Sequence, residues 1–294
     1  MAGRRALGRD VHFYLFSEPE KPLGGMRLNP SVTEKSFLSM LGILIVASGP
    51  YRVTLRSTGI DLMPTDDALK PGHYDIGPYH RRDTIFITDE PCITRTLSRT
   101  ITGRDDIFRA RVRERDGKCV ISGVVNRDST WNEWRGFEAA HIFPVSSEEY
   151  FVQNGFSRWI TNPIGPLDTG INSSQNGLLM LSNIHQKFDG FDFSINPDDG
   201  YKITCFDSDS FRIDGRTLDP ICRDHNNAIG VRDELLRWHF RQAVLANMRG
   251  AGEPSFEMDF PPGSDMMGEI LSGPKAAERM EAELFSRLSG VSSG

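Results

Sequence analysis

The stretch that decides the fold is Asn172-Ser173-Ser174-Gln175-Asn176-Gly177-Leu178-Leu179-Met180-Leu181-Ser182-Asn183-Ile184-His185-Gln186-Lys187-Phe188-Asp189-Gly190. Asn176-Gly177 is a turn pair, and Leu178–Leu181 is an apolar run of strand length. Ser182 is a good N-cap for a helix over Asn183–Phe188, which Gly190 ends. On that helix His185 and Asp189 lie four apart and share a face. An imidazole and a carboxylate on one face can bind one divalent cation, through a neutral ring nitrogen and a carboxylate oxygen.

Upstream, Phe137-Glu138-Ala139-Ala140-His141-Ile142-Phe143-Pro144 is short, mostly apolar and stopped by proline, so it reads as a strand. The order is strand, turn, strand, helix. With these residues the chain resembles the HNH (ββα-metal) endonuclease family, specifically its fungal branch with an AAHI first motif and an NGLLxLxxxHxxFD second motif. The resemblance covers about residues 119–205. It implies that His141 is the general base, that Asn176 braces the loop between the strands, and that His185 binds the metal. Asp189 falls where colicin-type nucleases place a further ligand, and Cys119, in Arg115–Gly123, matches the branch's opening strand. The implied cofactor is Mg²⁺, Mn²⁺ or Zn²⁺, and the implied partner is DNA.

The chemistry suits those residue types. A histidine of near-neutral pKa can take a proton from water. A divalent ion can polarise a phosphoryl oxygen and stabilise the leaving oxygen. Two departures bear on activity. Many family members carry Asp or His directly before the base, where this chain has Ala140; Glu138 is either a third metal ligand in its place or an exposed strand residue. The 35 positions from His141 to Asn176 exceed the spacing in compact members. That insertion is either a lid or substrate-selecting loop, or a structural excursion packing Phe151 and Trp159 on the core.

Working outward, Asp192–Ile195 and Tyr201–Cys205 flank Asn196-Pro197-Asp198-Asp199-Gly200 as a hairpin behind the motif. Asp105–Lys118 is a helix carrying Arg109, Arg111, Arg113, Arg115 and Lys118, either a solvated face or a phosphate-contacting one. Asp224–Met248 reads as an amphipathic helix closing the domain. Residues 1–103 read as a β-rich accessory or partner-binding domain with strands at Val11–Phe16, Tyr51–Leu55 and Thr84–Thr88. One helix interrupts them, with a capping box at Ser31–Glu34 ahead of Phe37–Val46. Residues 104–250 form the motif-bearing domain. Residues 251–294 read as a linker and a helix around Lys275–Leu288, partly disordered by composition. The fold class is α+β.

Composition bounds the function classes. Net charge of −6 over 294 residues argues against a broad nucleic-acid-coating surface, though not against a local basic patch. Four scattered cysteines give neither a disulfide framework nor a zinc ribbon. No signal peptide is read at the start, and the longest apolar run, Phe37–Ala47, is too short for a membrane span. An intracellular location, nuclear or cytoplasmic, is expected. The leading function is a metal-dependent endonuclease cutting DNA, with His141, Asn176, His185, Asp189 and Glu138 as site residues. The competing one is a repurposed HNH scaffold without nuclease activity, motivated by the acidity, Ala140 and the insertion. It would act as an interaction module or as an enzyme on a small molecule.

Overall fold

The computed structural model describes residues 4–93, 103–165, 167–224 and 227–252. The helix expected at 275–288 lies outside the described residues. The N-terminal part contains β1 (Val11–Leu15), β2 (Glu18–Met26), α1 (Glu34–Leu44), β3 (Ile45–Ala47), β4 (Tyr51–Leu55), β5 (Ile60–Asp61), β6 (Gly72–Pro78) and β7 (Ile85–Ile87). Five of these strands form one sheet in the order β2-β1-β6-β4-β5, with β1 and β6 parallel and the other pairs antiparallel. β3 and β7 pair separately. Alternation along β1 buries Val11 and Phe13 on one face. The three-four spacing of Phe37, Met40, Leu41 and Leu44 lays α1 on that same core.

Several of these elements depart from the sequence reading. The capping box is built by Thr33 and Ser36, not Ser31 and Glu34, and α1 begins ahead of Phe37 and ends at Leu44, where β3 takes over short of Val46. β2 and β6 were not anticipated, because EPEKPLGGM and GHYDIGP carry the prolines and glycines of loops. β2 tolerates Pro22 because it is a sheet edge with register shifts against β1.

The second part contains α2 (Gly103–Asp116), β8 (Phe137–His141), α3 (Glu148–Gln153), β9 (Gly177–Leu181), α4 (Ser182–Asp189), β10 (Phe193–Asn196), β11 (Lys202–Cys205) and α5 (Asp233–Met248). β8 and β9 pair antiparallel with His141 opposite Gly177 and Glu138 opposite Met180. β10 and β11 form the expected hairpin, with Ile195 opposite Ile203 inside the core. The opening strand expected at Cys119 is instead a tight turn: Gly123 N–H bonds back to the Cys119 carbonyl, and Val120 N–H donates to Leu179 O alongside β9. Ser182 is the first residue of α4, not its cap, because strand passes directly into helix at Leu181. The insertion packs inward: Phe151 meets Phe143 edge-on, and Phe143 stacks on Trp238 of α5 at 3.9 Å. Trp159 stays 37% exposed, so only one of its two expected anchors reaches the core.

α5 serves both parts. Leu235, Leu236 and Trp238 fill the core around β8, β9 and α4, whereas Phe240, Val244, Leu245 and Met248 fill the core under the N-terminal sheet. Gly24 permits the close approach at its end, since a Cβ there would stand 1.9 Å from the Met248 carbonyl oxygen. Arg9 then donates to the Asn247 and Gly250 carbonyl oxygens, and Arg5 donates to Asn247 Oδ1. No helix among the described residues is long and apolar enough to cross a membrane.

A buried ion pair holds α2 on the motif strands. The Arg115 guanidinium grips Asp116 and donates to the Ser174, Gly177 and Ile229 carbonyl oxygens, while Asp116 Oδ2 accepts from Leu179 N–H. Arg115→Leu leaves Asp116 buried without its cation, and we expect a loss of about 3–5 kcal/mol in urea unfolding. An exposed substitution such as Arg52→Gln is expected to cost less than about 0.5 kcal/mol in the same measurement.

Candidate active site

α4 follows β9 without a loop, and Ser182 N–H donates to Gly136 O beside the start of β8. The first turns of α4 therefore lie against the early residues of β8, and His185 meets Glu138. His185 Nδ1–H donates to Glu138 Oε2 at 2.7 Å, and Nε2–H donates to Asp189 Oδ2 at 3.1 Å. With both nitrogens donating, the ring is an imidazolium. Burial opposes that charge, but the Asp189 and Glu138 carboxylates outweigh it and push the His185 pKa up to about 9. The Glu138 carboxyl is held below the usual carboxylate range, first by its hydrogen bond from His185.

Alternation along β8 sends His141 to the other face, with Phe137 and Ala139. There its ring stacks on Phe108 of α2 at 3.8 Å and 11°, and Nε2 lies 3.2 Å from Asn172 Oδ1. An amide oxygen only accepts, so this contact puts the ring proton on Nε2 and the basic lone pair of the neutral ring on Nδ1. A Cβ at Gly177 would come within 2.5 Å of the Phe108 ring, so glycine there is what lets Phe108 reach His141.

Asn176 is fully buried, and its side chain hydrogen-bonds to main-chain atoms. Oδ1 accepts from Phe143 N–H, Nδ2 donates to the Phe143 and Ile171 carbonyl oxygens, and its own carbonyl accepts from Ile142 N–H. The structure thus brings Glu138, His185 and Asp189 together, sets His141 on the opposite strand face, and ties Asn176 to the main chain of Phe143 and Ile171. Ala140 is buried on the Glu138 side of β8. Sequence reasoning missed Phe108 and Asn172. Asn172 heads the motif stretch but stands 31 positions from His141, so only the folded insertion brings them together.

One imidazole and two carboxylates are donor types that suit a divalent cation. As they stand, the carboxylates meet the ring at its two different nitrogens, and no group of three or more such side chains among the described residues is arranged to hold a metal ion. The bridging protons occupy the places a cation would take.

Residues 119–196 match the family model described as HNH endonuclease. Residues 8–82 match the one described as Domain of unknown function (DUF8573). No curated protein and no solved structure gives a significant match to the chain. The match over 119–196 supports an HNH assignment for this region and a nuclease-type function.

The raised pKa of His185 has a consequence for stability in the metal-free protein. A histidine raised from 6.5 to about 9 contributes stability that is fully present below pH 6.5 and lost as pH rises through 9. Because the Glu138 side chain is half exposed, we expect the contribution to be about 2 kcal/mol rather than the full linkage value. Urea unfolding in the presence of a chelator at pH 6 and pH 9.5 checks this, and His185→Gln is expected to abolish most of the difference.

Proposed function

We propose that the protein is a metal-dependent DNA endonuclease in which His141 is the general base and His185, Asp189 and Glu138 hold the divalent ion, Mg²⁺, Mn²⁺ or Zn²⁺. The observation that carries the reading is the meeting of Glu138 with His185 across β8 and α4. Glu138 lies on the same strand face as Ala140, the place where the resemblance expects an acidic or imidazole ligand. It therefore supplies the donor that the sequence lacks one strand repeat further on.

In the reaction, a water oxygen forms a bond to phosphorus while the bond to one bridging oxygen breaks. His141 takes the water proton at Nδ1, and the Nε2–H bond to Asn172 steadies the imidazolium that results. Phe108 fixes the plane of the ring by stacking. Asn176 keeps the chain after His141 from shifting, through its contacts with Phe143. A bound divalent ion supplies Lewis-acid stabilisation of the phosphoryl charge and of the leaving oxygen. His185, Asp189 and Glu138 would hold it, and His185 would have to be deprotonated at the ring nitrogen it offers.

A second reading has a specific observation behind it: the His185 imidazolium already satisfies both carboxylates without a metal. In that case it is a structural tie between β8 and α4 on a scaffold without nuclease activity.

Incubating the full chain with supercoiled plasmid and each metal tests the first reading. Cleavage is expected to fall by about 100-fold or more in His141→Ala. Equal behaviour of wild type and His141→Ala sinks it. Calorimetry with Mn²⁺ or Zn²⁺ separates the two readings. We expect binding that releases protons and tightens as pH rises toward 9, whereas no binding at any pH, with no salt-dependent DNA affinity, favours the scaffold.

A further inference from the structure

We propose that Arg111 is a binding residue for a phosphate of the nucleic-acid backbone, at a site beside His141. This rests on the nuclease reading and adds to it a contact to the ligand. Four arginines stand at 109, 111, 113 and 115 along α2. Arg109 pairs with Asp106, Arg113 lies over the Trp134 ring at 5.1 Å, and Arg115 is consumed by Asp116 and three carbonyl oxygens. The Nη1 of Arg111 is shut off from solvent and has no hydrogen-bond partner among the described residues. A shielded cationic donor without an acceptor is costly, and each such group in a folded protein calls for an explanation.

The surroundings of Arg111 suggest an anion. Three residues before it, the Phe108 ring lies on His141; four residues after it, Arg115 donates to Ser174 and Gly177. Residues three and four apart share a helix face, and helical side chains lean toward the N-terminus. Arg111 therefore stands in the row that covers β9 and the loop carrying Asn172, on the strand face where His141 lies. Asn172 and Gly177 contribute uncharged groups on this face, and the Asp116 carboxylate there is already taken up by Arg115 and the Leu179 N–H. A planar guanidinium fork matches two phosphate oxygens. A phosphodiester held there would have its phosphorus near the water that His141 deprotonates.

The probe is a fluorescent, nuclease-resistant phosphorothioate duplex, titrated with the full chain in chelator over a range of salt. Arg111→Gln is expected to weaken binding about tenfold and to lower the slope of log K against log salt by about 1. Its thermal midpoint should be unchanged or higher, because no intramolecular hydrogen bond of Nη1 is lost. Arg111→Lys should retain most of the slope, and the exposed Arg52→Gln should match wild type. Wild-type affinity and slope in Arg111→Gln overturn the proposal. So does weaker binding accompanied by a matching drop in thermal midpoint, which marks a structural role. If wild type binds no duplex, the proposal falls together with the nuclease reading. If it binds, and Arg111→Gln weakens it while plasmid stays intact, only the cleavage reading falls.

Discussion

The pairing of Arg115 with Asp116 is the constraint on which the candidate site depends. Both side chains are essentially out of solvent, and burial pushes the Asp116 carboxyl up while the guanidinium pulls it down. Buried charges cost free energy unless every donor and acceptor is used. Here they are used on main-chain atoms of three separate segments: the turn before β9, β9 itself and the approach to α5. That arrangement fixes the height and rotation of α2 over the strands. Phe108 is carried to His141 as a result.

The β8–β9 pair then divides the chemistry between two faces. A strand cannot present adjacent residues to the same side, so Glu138 and His141, three apart, go to opposite sides. Glu138 turns to α4, where two carboxylates enclose His185; His141 turns to α2, where an aromatic ring and an amide hold it. The long connection between the strands is closed by Gln175, whose amide oxygen accepts from Thr161 and Asn162 N–H and whose NH₂ donates to Thr161 Oγ1 and Ala228 O. An insertion pinned this way at its far end can deliver Asn172 to His141 reproducibly.

What could be read from the sequence follows from how local each signal is. The partnership of His185 with Asp189 is a four-residue spacing on a helix, and the strand at Phe137–His141 is a run of apolar residues, so both were legible. The hairpin at β10 and β11 was legible because Asn196–Gly200 carries its own turn chemistry. β2 was hidden because its prolines and glycines read as loop, and only its place at a sheet edge makes them tolerable. The role of Phe108 depends on the missing Cβ of Gly177, which lies in a distant segment, and no periodicity encodes that. α5 reads as one amphipathic helix, yet its two halves enter different cores. A single helix period reports that residues are buried, not what buries them.

The charge balance of the chain also looks different once its arginines are placed. A net charge of −6 describes a surface average, whereas α2 concentrates its arginines along one element and neutralises them unequally. Arg109 and Arg115 are matched by acids and Arg113 lies over a ring, whereas the Nη1 of Arg111 has no hydrogen-bond partner among the described residues. The same logic governs His185. Its two carboxylates assemble the donors that a cation would use, but they do so by stabilising a proton that the cation must displace. Neutral pH lies about two units below the ring's pKa of about 9, so a cation of the kind proposed for this site would have to displace that proton at a cost on the order of 100-fold in affinity. Without a metal, the His185 imidazolium offsets one of the two carboxylate charges and ties β8 to α4.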